Sequence, residues 1–347
     1  MKNFIDSAYH STILKYPFMT ILTLAAILSF FATGAKNFKL DASMDALILE
    51  NDKDLASFRQ LLMRYENREF IFIALKSEDD FLASSHIEVT SQLRDEVSEV
   101  PEVLEVVSML DVPLVRNDPK TTLGDLAANF RTLRMPNVDL DRARQELTES
   151  PFYKDLVVSG DGKVASLAVY FKPHAELPRL RRLRDELLYK KLVDGLSNQQ
   201  ELELKALRPK YERAKEQAER STHEALLKIR EIISKYQGQA GIQLYLGGLP
   251  LIVDDVTAYI QGDLVNFGAG VFIFLILMLT LIFREARWVV LPFSSCIYAG
   301  TTMIGLLGLI GWKVTVISSN FIALMLIITM SMNVHLTVRY RELVRDF

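Results

Sequence analysis

Two kinds of hydrophobic patterning alternate along this 347-residue chain. In four stretches, 17–35, 264–283, 288–312 and 314–338, apolar residues run almost unbroken. The second and third carry no charge, and the fourth holds one ionisable side chain, His335. At about 1.5 Å per residue, roughly 20 residues cross the ~30 Å of a bilayer's hydrocarbon core. The runs lack the alternation of barrel strands, so they predict transmembrane helices. Trp288 and Trp312 bracket the third run, as aromatics at the two membrane interfaces do.

Between the first and second runs the pattern is that of a water-exposed α+β domain over 36–263. Residues 69–76 (EFIFIALK) read as a buried strand, and 85–100 as a helix with Ile87, Leu93 and Val97 on one face, stopped by Pro101. A strand follows over 103–110, then turn signals at Asn117-Asp118-Pro119 and a short helix over 140–148. Gly160-Asp161-Gly162 predicts a hairpin between strands 156–159 and 164–171. A last strand spans 242–246, ending at Gly247-Gly248-Leu249-Pro250. The order β-α-β, β-α-β is ferredoxin-like, with its second helix expanded into a helical hairpin over 178–236. Leu180, Leu183 and Leu187 form one stripe, closed by Gly195. Ser197 with Gln200 has capping-box spacing. Tyr211, Ala214, Ala218, Thr222, Ala225, Ile229 and Ile232 form a second stripe, with Pro209 as a site for a kink. The hairpin reads either as a docking arm or as a solvated insert packed on itself.

Charge sets the orientation. Arg284 and Arg287 lie between the second and third runs, and Arg339, Arg341 and Arg345 follow the fourth. By the positive-inside rule both termini, 1–16 and 339–347, are expected in the cytoplasm, with 36–263 outside. Lys36 and Lys39 oppose this assignment and are outnumbered. The net charge of −3 offers nothing to nucleic acid, and the single Cys296 permits no intrachain disulfide.

A helix, a ferredoxin-like domain and a helix cluster, in that order, resemble the first half of a resistance–nodulation–division (RND) exporter of the MMPL type. Three stretches carry the likeness: LDASMDALILENDKDLASFRQLL from Leu40, LYLGGLPLIVDDVTAYIQGDL from Leu244, and VTVISSNFIALMLIITMSMNVHLTVRYREL from Val314. The helical hairpin stands outside the general family pattern. The resemblance implies an inner-membrane efflux protein that moves lipids or other hydrophobic molecules outward by alternating access, driven by protons. No cofactor is expected. Such exporters have two halves, so a fragment or truncated product is expected here. Its partners would be the bilayer, the hydrophobic or lipid substrate, and a missing C-terminal half with further spans. A homo-oligomer is the other source of a second half. In many relatives an Asp of the fourth span carries the proton. Aligning on His335 and Arg339-Tyr340-Arg341-Glu342 puts Met332 at that position.

Polar groups inside a span are costly and often functional. Ser318, Ser319 and Asn320 cluster early in the fourth run, and Asn333 and His335 lie near its end. His335 titrates near neutral pH and is a proton-relay candidate, unless it merely sits at the interface beside Arg339. The serines and Asn320 otherwise serve helix-to-helix hydrogen bonds. Gly305, Gly308 and Gly311 point to close helix packing, and Gly247, Gly248 and Pro250 to a hinge or a plain turn. No catalytic constellation, metal-ligand spacing or phosphate loop appears, so an enzyme is not expected. His86, His174 and His223 stand apart without motif partners. A membrane-anchored scaffold that uses the hairpin to hold partners is the alternative to an exporter.

Overall fold

The computed structural model describes residues 13–41, 68–115, 131–193, 195–315, 318 and 320–345. Most of the first family-like stretch, the Asn117-Asp118-Pro119 turn and Ser319 lie outside the described residues. In chain order the elements are α1 (Pro17–Gly34), β1 (Leu40–Asp41), β2 (Phe70–Lys76), α2 (Ser84–Ser98), β3 (Val103–Val107) and α3 (Leu140–Glu149). There follow β4 (Val164–Phe171), α4 (Leu177–Val193), α5 (Asn198–Tyr236), β5 (Gln243–Gly247), α6 (Leu249–Phe283), α7 (Ala286–Ile310), β6 (Val314–Thr315) and α8 (Phe321–Arg345). They divide into two compact units, one of residues 50–254 and one of residues 1–49 with 255–347.

In the first unit, β2–β5 make a four-stranded antiparallel sheet in the order β3-β4-β2-β5. Strand alternation decides which side is covered. Ile71, Ile73 and Leu75 of β2 and Leu167, Val169 and Phe171 of β4 face one way and are buried. On that face they meet Val89, Leu93 and Val97 of α2 and Ala225, Leu226, Ile229, Ile232 and Ile233 of α5. Leu251, in the first turn of α6, joins the same core. A satellite cluster of Phe81, Met109, Leu110, Val112, Leu114, Ala143, Leu147 and Val158 gathers around α3. Asp139 caps that helix by accepting from the amides of Asp141 and Arg142.

Residues 156–159 do not form the expected strand. Only Val158 bridges Ala165, because the chain curls into a tight turn in which Lys154 and Val158 also pair. The turn itself forms, with the Ser159 amide donating to Val164 and that of Gly162 to Ser159.

Helix α5 departs from a simple hairpin arm. Ser197 and Gln200 make the full capping box. From there a single helix runs through Pro209 to Tyr236. Its first half packs on α4 through Tyr211 and Ala214 against Leu177 and Leu180. Its second half is the crossover helix buried on the sheet. Gly195, at φ +77°, supplies the left-handed turn between the arms.

In the other unit, α1, α6, α7 and α8 are each long and apolar enough to cross a membrane. A Cβ on Gly305 would overlap the carbonyl oxygen of Phe31, and one on Gly308 that of Gly34. The α1 and α7 backbones therefore touch, with glycine on both sides. Gly311 does not share that contact, and instead ends α7 in the left-handed conformation at φ +71°. Phe31 meets Gly305 and Gly34 meets Gly308, so the two helices run parallel. Their C-terminal ends then pair as β1 and β6, Leu40 with Val314 and Asp41 with Thr315. Leu279 and Phe283 of α6, Cys296 of α7, and Leu326 and Met330 of α8 form a second contact among the spans.

Three boundaries move from their expected places. The fourth span begins at Phe321, because Val314 and Thr315 are held in the strand pair, and it continues as helix to Arg345 beyond 338. Helix α6 starts at Leu249, upstream of its apolar run, and carries Asp254, Asp255 and Asp263 in that leading part.

Two measurements test this packing. Gly308→Ala should lower unfolding stability in detergent by about 1–3 kcal/mol, the usual cost of overpacking. Gly270→Ala, with open space around it, should leave stability unchanged or raise it by up to about 1 kcal/mol, the gain of alanine over glycine inside a helix. Equal effects of the two would refute the α1–α7 contact. In the sheet unit, Ile229→Ala should cost about 2–5 kcal/mol. Tyr211→Ala should speed hydrogen exchange in 177–215 and leave the sheet strands protected.

Candidate functional site

The polar candidates of the membrane unit fall into separate places. Ser318 lies ahead of α8, not inside it. Its hydroxyl accepts from the Thr315 amide at 2.9 Å, and its own amide donates to Thr315 Oγ1 at 3.3 Å. This serine therefore closes a turn after β6. Asn320 is exposed just before α8, and its carbonyl accepts from the Leu324 amide at 3.1 Å. Neither makes a bond to another helix among the described residues.

Further along α8, Asn333 is half-buried and donates from Nδ2 to the Thr329 carbonyl at 2.9 Å. The two share a helix face, as their spacing requires. His335 and Ser331 lie on another side and are exposed. Met332, the position that the sequence resemblance sets against an Asp, is 62% exposed. The side of α8 bearing Ser331, Met332 and His335 is thus uncovered by α1, α6 and α7.

At the opposite ends of the spans from β1 and β6, aromatics and arginines converge. The Trp288 and Tyr340 rings are 5.7 Å apart, joining the start of α7 to the end of α8. The Arg341 guanidinium lies 5.5 Å from the Phe283 ring and 5.9 Å from that of Trp288. Both arginine clusters named in the sequence therefore occupy one side of the helix set. The start of α1 is on that side too, because α1 is parallel to α7.

In the sheet unit, Gly247 and Gly248 have packing reasons. The Phe72 ring lies across Gly247, its partner in the β2–β5 ladder, leaving no room for a Cβ. Gly248 is at φ +129°, and a Cβ there would stand 2.9 Å from Ile71 Cα. Pro250 follows in the first turn of α6, where a missing amide hydrogen is harmless.

Two histidines that the sequence left without partners acquire them from distant segments. His86 is buried, and its Nδ1 donates to the Asp80 carbonyl at 2.6 Å. Its Nε2 faces Ser77 Oγ at 3.2 Å and the Ala240 carbonyl at 3.1 Å. His223 of α5 meets Asp254 at the foot of α6, Nδ1 to Oδ1 2.6 Å. No spacing rule announces either pair, since they form only when the sheet closes. Around the sheet, Arg134 and Arg94 hold the Asp95 carboxyl below its ordinary range, and Lys235 does the same for Glu96. No group of three or more potential metal ligands occurs among the described residues.

No curated protein matches the chain. The family model described as "MMPL family" matches residues 205–346. The match starts inside α5, so most of that helix falls within the family pattern, contrary to the expectation that the whole hairpin is foreign to it. Part of that overlap has a physical reason, because the second half of α5 is the sheet's own crossover helix. From α5 through α6, α7 and α8, this part of a multi-pass membrane protein is similar to the MMPL family.

Proposed function

We propose that the protein works in proton-driven export of lipid or other hydrophobic molecules by alternating access, its sheet unit serving as an extracytoplasmic porter domain. The observation that carries this reading is the extent of the family match, which passes without a break from the sheet's crossover helix into three spans. The strand order β3-β4-β2-β5, with α2 and α5 on one face, supports a ferredoxin-like porter arrangement. The uncovered polar side of α8 favours further helices packed there, since polar groups in a span normally face a bundle interior or a water-filled path. A second half, or another copy of the chain, would supply them. With Met332 in place of a carboxylate, His335 is the proton carrier we assign to α8. The bilayer is the cytoplasmic (inner) membrane, with both termini inside, supported by the arginines gathered at one end of the spans.

In native-membrane vesicles, a fluorescent lipid analogue should move outward only while a proton gradient stands. His335→Ala should cut that flux at least about tenfold, in line with loss of a proton-transferring group, and His335→Gln should not restore it. Flux equal to that of vesicles without the protein would overturn the export reading. Flux indifferent to a protonophore would overturn the proton drive alone.

Orientation has its own test, made simple because the native Cys296 is fully buried. Ser197→Cys should react with a membrane-impermeant maleimide on intact cells, and Glu285→Cys only after lysis. The reverse pattern would invert the topology.

A further inference from the structure

The first turn of α2 and the link between α5 and β5 meet at one imidazole. His86 is buried, with 3% of its surface exposed. Its Nδ1 lies 2.6 Å from the Asp80 carbonyl, and its Nε2 lies 3.1 Å from that of Ala240, far along the chain. A carbonyl oxygen can only accept a hydrogen bond. A neutral ring has one N–H and satisfies one of these two carbonyls, whereas a ring protonated on both nitrogens satisfies both. The neutral ring has another use for Nε2. Ser77 Oγ stands 3.2 Å from it and already accepts from the Asp79 amide at 3.1 Å, so the hydroxyl proton is available to donate. The two charge states therefore select different partners for the same atom.

The segment that Nε2 reaches is strained. Gly238, Ala240 and Gly241 are at φ +83°, +49° and +74°, and of the three only Ala240 has a Cβ to oppose the left-handed backbone. The charged groups around the ring come from its own loop and from the start of β4. The Asp80 carboxylate pairs with Arg144, the Lys163 ammonium pairs with Glu78 at 2.7 Å, and Asp79 is exposed. The remaining walls, Leu75, Phe81, Thr90, Met109, Ala165 and Ile242, are uncharged. The cavity of about 10 Å³ beside the ring has room for one water.

We propose that His86 is a pH-dependent latch. Doubly protonated, it donates to Asp80 and Ala240 and fastens residues 238–241 to the start of α2. Neutral, it accepts from Ser77 and releases that segment. The sign follows from the count of partners: the charged ring holds the extra carbonyl, so the latch is closed in acid and opens as pH rises. Between about pH 5 and 8, histidine is the side chain whose charge ordinarily changes. The released segment joins the crossover helix α5 to the edge strand β5, so the latch sets how firmly the end of that helix is tied down. The inference concerns the sheet unit alone and does not depend on the transport reading.

The test uses the whole chain in neutral detergent at about pH 5 and about pH 8, read by amide hydrogen exchange corrected for its intrinsic dependence on pH. A hydrogen bond to a charged group is worth about tenfold or more in an equilibrium. The Gly238, Gly241 and Ile242 amides donate within the segment, and their protection should be about tenfold greater in acid, with that of β2 and β4 unchanged. In His86→Gln the difference between the two conditions should vanish. Nitrogen-15 shifts of the imidazole in the unaltered chain decide the matter even if the variant fails to fold. Both ring nitrogens of His86 should carry protons in acid, and only Nδ1 at the higher pH. Equal protection in the two conditions, an unchanged difference in His86→Gln, or a ring with the same number of protons in both would overturn the latch.

Discussion

A backbone inside hydrocarbon has to satisfy its own hydrogen bonds, and once it is helical the hydrophobic effect no longer drives one helix onto another. What remains is close van der Waals contact, and in this protein it is concentrated where Gly34 of α1 meets Gly305 and Gly308 of α7. Much of the membrane unit follows from that contact. It sets α1 and α7 parallel, so the segments leaving them emerge side by side. Leu40–Asp41 and Val314–Thr315 can then form a parallel bridge, with the Val314 amide donating to Lys39 at 3.0 Å. The bridge holds the chain extended ahead of α8, which is why that helix begins at Phe321.

The sheet unit obeys a different rule, because water is present and apolar burial is the driving force. One face of β2–β5 is covered by α2 and the second half of α5, whose Ala225, Leu226 and Ile229 are fully buried. The first half of α5 extends past the sheet and needs a different partner, which α4 provides. Arg184, stacked 4.2 Å over the Tyr211 ring, and its bond to the buried Asp185 strengthen that second contact. One helix thus joins a core that any such sheet requires to an arm that it does not.

The packing of the spans leaves one side of α8 uncovered. Cys296, Leu326 and Met330 close the interior between α7 and α8, while Ser331, Met332 and His335 stay outside it. At one end of the spans Arg339 and Arg287 are matched by glutamates, and Arg341 stands beside the Phe283 and Trp288 rings.

The sequence by itself determined the number and nature of the spans, because apolar length against bilayer thickness is a local property. It also determined the strand and helix order of the sheet unit apart from the strand expected at 156–159, the Ser197 capping box, and the close packing of Gly305 and Gly308. Each follows from a period or a spacing of a few residues. The tertiary structure decided the rest. Only packing could show that α5 serves two cores, since its stripe is continuous and does not change character at the boundary between them. The same holds for Gly311, which has the spacing of its neighbours and ends the helix instead of packing it. Ser318 left the span because β1, far away in the chain, captured Val314 and Thr315. His86 and His223 found the Ala240 carbonyl and Asp254 across long sequence separations. Such partners are set by chain closure, and no local pattern encodes them.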